Sequence, residues 1–155
     1  MTFRISALPR AQFEHLFNLS DDALAIQGAV RRIADAKPGF PCRISLADAE
    51  PGEVVILLHY EHQPARTPFR ASHAIYVRPG ADEALPEIGE VPQALRSRIL
   101  SLRAFDAAGM MVDADLADGR DLEFGVQRLL ADPCVAYLHA HFAKPGCYAA
   151  RIDRA

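Results

Sequence analysis

From Arg98 to Ala117 apolar and polar residues alternate on either side of AlaAlaGly at 107–109. Period-two alternation is the mark of a half-buried strand. A three-residue loop with Gly109 in the left-handed conformation makes a bulged hairpin. That loop pairs Asp106 with Met110, and so Leu102 with Ala114 and Leu100 with Leu116. One face then carries Leu100, Leu102, Ala104, Val112, Ala114 and Leu116 as a core face. The other carries Ser101, Arg103, Asp113 and Asp115, with Arg103 across from Asp113.

A second hairpin is predicted over Tyr137–Arg154, YLHAHFAKPGCYAARIDR. A loop of two or four residues pairs Phe142 with Cys147. Cys134, Leu138, Phe142, Cys147 and Ala149 then share one face, and Tyr137, His139, His141, Tyr148 and Ile152 the other. Further strands are expected at Phe3–Leu8, at Glu53–His62 as a central strand, and at Ser72–Arg78. Cys42–Leu46 also alternates, and reads as a half-buried strand with Arg43 on its polar face.

Helical spacing appears in three places. Phe13, Leu16 and Phe17 fit a helical turn within Pro9–Phe17. Ser20 is placed as an N-cap, with Asp21 and Asp22 at the positive end of the helix dipole. That helix ends at Gly28 or runs on to Ala36, and residues 29–35 fit helix or strand equally. Asp118–Asp132 is amphipathic, with Leu122, Val126, Leu129 and Leu130 as its stripe. Residues 79–94 read as an exposed loop or short helix. The predicted fold is α+β, a mostly antiparallel sheet of hairpins with two or three helices packed on it.

Composition narrows the function classes. At 155 residues the chain is expected to form one globular domain, residues 1–155. Net charge is −3 and no basic run occurs, so a nucleic-acid partner is not expected. No stretch approaches the ~18 apolar residues of a membrane span. Three widely spaced cysteines, Cys42, Cys134 and Cys147, fit reduced thiols in a cytoplasmic protein. No C-x-x-C pair, G-x-S-x-G elbow or glycine-rich nucleotide loop is present.

Four segments, KPGFPCRISLADAEPGE (37–53), LLHYEHQP (57–64), LSLRAFDAAGMMVDA (100–114) and LHAHFAKPGCYAARIDR (138–154), resemble an uncharacterised bacterial family, domain of unknown function 1203. The resemblance implies a small stand-alone soluble domain. It carries over no activity, cofactor or site residue.

The candidate chemistry therefore rests on side chains. His139 and His141 stand two apart on one strand and point the same way. With Tyr148 they form the candidate catalytic set, able to transfer protons near neutral pH. Arg43, Arg70, Arg103 and His59 are the candidate ligand-binding residues, arginine offering a forked donor to a carboxylate or phosphate. The first reading is a site for a small anionic ligand, enzymatic or not. The second is a divalent metal held by His139 and His141. It needs a third ligand, with His59, Glu61, His62, Asp113 and Asp115 as candidates. The third is a non-catalytic interaction module using the sheet or the acidic 82–90 loop.

Overall fold

A computed structural model describes all 155 residues. Strands β1 (Phe3–Ser6), β5 (Ile99–Phe105), β6 (Met111–Asp118), β7 (Tyr137–Phe142) and β8 (Tyr148–Arg154) form an antiparallel sheet of order β1-β8-β7-β5-β6. A second antiparallel sheet has the order β2-β3-β4, from β2 (Val30–Ile33), β3 (Val54–Gln63) and β4 (Ala71–Val77). Three helices complete the fold: α1 (Asp21–Ile26), α2 (Gln93–Arg96) and α3 (Leu122–Leu130). The α+β architecture of hairpin sheets and packed helices is thus as expected. Residues 30–33, open between helix and strand in the sequence, pair with β3. No helix is long and apolar enough to cross a membrane.

Two cores hold these layers. The larger joins Leu100, Leu102, Leu138, Phe142 and Ile152 of the five-stranded sheet to Leu122, Val126, Leu129 and Leu130 of α3. The stripe on α3 is the one its spacing predicted. The smaller core packs Ile56, Ile75 and Val77 of the three-stranded sheet with Phe13, Leu16 and Leu24 from the N-terminal segment. Phe13 and Leu16 sit at short 3-10 turns, not on an α-helix. Ser20 caps α1, its hydroxyl accepting from Ala23 N–H at 3.2 Å. Gly28 follows α1 at φ +71°, where a side chain would be strained.

Tyr148 of β8 belongs to the smaller core. It marks where the second sheet lies against the face of the first sheet that α3 does not cover.

Three bulges set which side chains reach that face. In β5–β6 the predicted turn holds, with Asp106 N–H bonded to the Met110 carbonyl and Phe105 opposite Met111. The ladder then shifts by one residue, so Ala104 pairs with Asp113 and Arg103 with Ala114. Asp113 and Asp115 consequently turn toward α3 and pair with Arg128. The expected Arg103–Asp113 pair is therefore not made. Ala114 is exposed, and Val112 and Leu116 are 44% and 69% exposed on this edge strand rather than core. Leu100, Leu102 and Ala104 are buried as predicted.

In β7–β8 the four-residue loop is as expected, with Phe142 N–H bonded to the Cys147 carbonyl and His141 opposite Tyr148. A second shift beyond Ala149 then reverses the alternation. Ile152 goes to the core beside Leu138, and Arg151 comes opposite His139. That corrects the placement of Ile152 with the histidines. Cys134, expected on the core face, lies before β7 and is exposed, while Cys42 and Cys147 are buried; all three are free.

Residues 42–46 form a turn flanked by isolated bridges, Pro41–Asp48 and Cys42–Tyr76, instead of a strand. Arg43 is only 2% exposed. Its Nε donates to the Tyr148 carbonyl (2.8 Å), Nη1 to the Pro41 carbonyl (2.6 Å) and Nη2 to Cys147 Sγ (3.1 Å). A guanidinium so fully engaged ties this turn to the C-terminal hairpin, which explains how an arginine expected on a polar face can be buried.

Candidate metal centre

The third bulge builds the site. Tyr60 pairs with His73, but Gln63 pairs with Ala71, so β3 carries one extra residue between them. Regular alternation would turn His62 and Gln63 to opposite faces. The bulge lets both reach the five-stranded sheet, a frequent use of such irregularities. His62 stacks on Tyr148, with centroids 5.3 Å apart and planes 8° apart. Gln63 Nε2 donates to the Tyr137 hydroxyl at 2.8 Å.

His62 thereby meets His139 and His141. Its ring centroid lies 4.8 Å from that of His141 and 6.0 Å from that of His139. One ring nitrogen from each of the three lies within 4.8 Å of the others. His139 and His141 are 3% and 1% exposed, and His62 lies at the partly open rim. The His141 Nδ1 is 3.0 Å from the Gly146 carbonyl. A carbonyl only accepts, so Nδ1 carries the proton and Nε2 is left as a bare lone pair. That Nε2 is buried without a protein partner, as are Nδ1 of His62 and Nδ1 of His139.

Burial drives all three rings to the neutral form. Desolvation is the largest cause in each, lowering His139 and His141 to about 3 and His62 to about 4. Mutual repulsion that a second protonated ring would meet adds to it for His139, and the Arg103 guanidinium acts on all three. Tyr148, itself buried, is kept protonated by desolvation. The result is three neutral imidazoles from two sheets, each with a nitrogen that no protein group satisfies. Such atoms are costly to bury unless something binds them.

Among the predicted site residues, His139, His141, Tyr148 and Arg103 come together. Arg103 stands opposite His139 and Ser101 opposite His141 in the β5–β7 ladder, on the histidine face. Arg43 does not join them, being consumed by the contacts described above. Arg70 is exposed and paired with Glu61. His59 is also exposed. Of the five candidate third ligands only His62 reaches the pair; Asp113 and Asp115 are turned to Arg128. Ser101 was not singled out by sequence reading, although its two-residue spacing from Arg103 placed both on one face.

The largest cleft, about 910 Å³, is lined by Arg43, Tyr76, Arg98, Phe142, Lys144 and Cys147 but by none of the three histidines. The two arginines that line it are already satisfied: Arg43 as above, and Arg98 by Asp48 at 2.6 and 2.9 Å. The histidine cluster is the site with unmet polar demand.

No curated protein and no solved structure matches the chain. Residues 39–154, a span that contains every member of the histidine cluster, match the family model described as protein of unknown function (DUF1203), and the chain belongs to that family.

Proposed function

We propose that this chain is a metal-binding protein in which His62, His139 and His141 hold one divalent first-row transition-metal ion, zinc foremost. The observation that carries this reading is the convergence of three neutral imidazoles whose unpartnered nitrogens are buried. Three nitrogen ligands without thiolate or carboxylate suit zinc, copper, iron or nickel, and not calcium or magnesium. The hydrogen bond from His141 Nδ1 to Gly146 is the outer-shell contact that metal-binding histidines ordinarily make. A tetrahedral ion with bonds of about 2.0–2.1 Å needs its ligand nitrogens about 3.4 Å apart. The three rings must therefore draw together slightly from their 4.8 Å limit.

Three protein ligands leave a fourth position for water or a substrate atom, the pattern of reactive rather than structural zinc sites. Bound zinc would supply a water with a pKa near 7. The chain itself orients the ligands, keeps them unprotonated, and walls the site with Tyr148 and Phe105. The third histidine from the second sheet is what favours a metal over a metal-free site for a small anionic ligand, the first reading of the sequence.

Calorimetric titration of the chelator-stripped protein with Zn²⁺ at pH 7.5 tests this. One ion per chain is expected, with uptake lost in His139→Ala/His141→Ala and in His62→Ala, each checked for folding by circular dichroism. Absent uptake, or uptake unchanged in folded variants, refutes the proposal.

A further inference from the structure

We propose that the open position of this centre takes a small oxyanion, a carboxylate or phosphate group, with Arg103 as its second anchor and Ser101 as a third donor. The inference rests on the metal reading. It begins from charge. Three neutral imidazoles cancel none of a divalent ion's charge, and Arg103 adds a third positive charge beside them. The carboxylates on the neighbouring strands are already paired with other arginines. Asp153 is taken by Arg151, Glu61 by Arg70, and Asp113 and Asp115 by Arg128. Arg103 itself makes no ion pair, and its side chain bonds only to Ser101 Oγ, at 3.5 Å. A partly buried cluster of like charges calls for an anion from outside.

Placement supports the same conclusion. Cross-strand neighbours on one face hold their Cβ atoms about 4.5–5.5 Å apart. The ladder sets Arg103 beside His139 and Ser101 beside His141. On its other side Arg103 meets only Ala114, and Ser101 only Leu116. The guanidinium is held next to the ligands with donors to spare. Its fork matches two oxygens of a carboxylate or phosphate, leaving another oxygen for the metal. Ser101 Oγ accepts from Arg103 and keeps its own proton to donate.

The test uses the full chain loaded with Co²⁺, whose visible spectrum reports its ligands, titrated separately with acetate and phosphate at constant ionic strength. A saturable spectral change is expected with at least one anion, and the arm that saturates at lower concentration identifies the group. Arg103→Met should weaken that anion by about tenfold or more with cobalt uptake unchanged. Ser101→Ala should weaken it less, and serves as the readout if Arg103→Met does not fold. A cobalt spectrum indifferent to both anions, or equal affinity in the variants, overturns the inference while leaving the metal centre standing. Failure to take up cobalt at all overturns the metal reading, and this one with it.

Discussion

Lowering the pH should destabilise the metal-free protein well before its carboxylates begin to protonate. The perturbation is a step from pH 7.5 to 5.5. In the unfolded chain a histidine titrates near its ordinary 6.5, so it gains most of a proton across this range. In the folded protein His139 and His141 stay neutral until about pH 3. The unfolded state therefore binds more protons, and stability falls with falling pH. The loss begins near pH 7 and stops growing at about pH 3, where the folded rings accept protons as well. Between pH 7.5 and 5.5 each buried ring contributes about 1.4 kcal/mol, or about 3 kcal/mol for the pair. His62, neutral until about pH 4, adds a similar amount over this range in wild type and double variant alike. Urea denaturation of the chelator-treated protein, followed by circular dichroism at pH 7.5, 6.5 and 5.5, measures this. His139→Ala/His141→Ala should show a much shallower dependence. Parallel loss of stability in wild type and double variant, or a gain by wild type on acidification, would mean that the two rings are not buried neutral.

Thiol reactivity should divide the cysteines unevenly. Cys134 is exposed and should react with a thiol reagent at once, while buried Cys42 and Cys147 wait for unfolding; two or three fast thiols in the native protein would contradict the packing. Arg43→Met should cost about 2–4 kcal/mol in urea denaturation, because it strands the carbonyls of Tyr148 and Pro41 inside the protein. A cost below about 0.5 kcal/mol, the size of an ordinary surface change, would mean Arg43 does not tie the turn to the hairpin.

Most local structure was legible in the sequence. Alternation located both long hairpins, Gly109 and Gly146 marked their loops, and both adopt positive φ. The face shared by His139, His141 and Tyr148 followed from the loop length alone. What alternation could not supply was parity beyond a bulge. Nothing at Val112 or Ala149 announces one, and each shift moved its neighbours to the opposite face. Asp113 thus went to Arg128, and Ile152 to the core. Which of the five candidate third ligands would meet the pair was hidden for a different reason. His62 lies 77 positions before His139, on a strand of another sheet, and neighbours across two layers leave no periodic signal. Arg43 misled because alternation measures polarity, and a buried guanidinium with three acceptors is polar and inside at once.

X-ray absorption at the zinc edge of the zinc-loaded protein reads the ligand set of the His62, His139 and His141 centre itself. Three imidazole nitrogens at about 2.0–2.1 Å plus one light oxygen scatterer are expected. Fewer than three imidazoles, or a sulfur shell near about 2.3 Å, would contradict that ligand set.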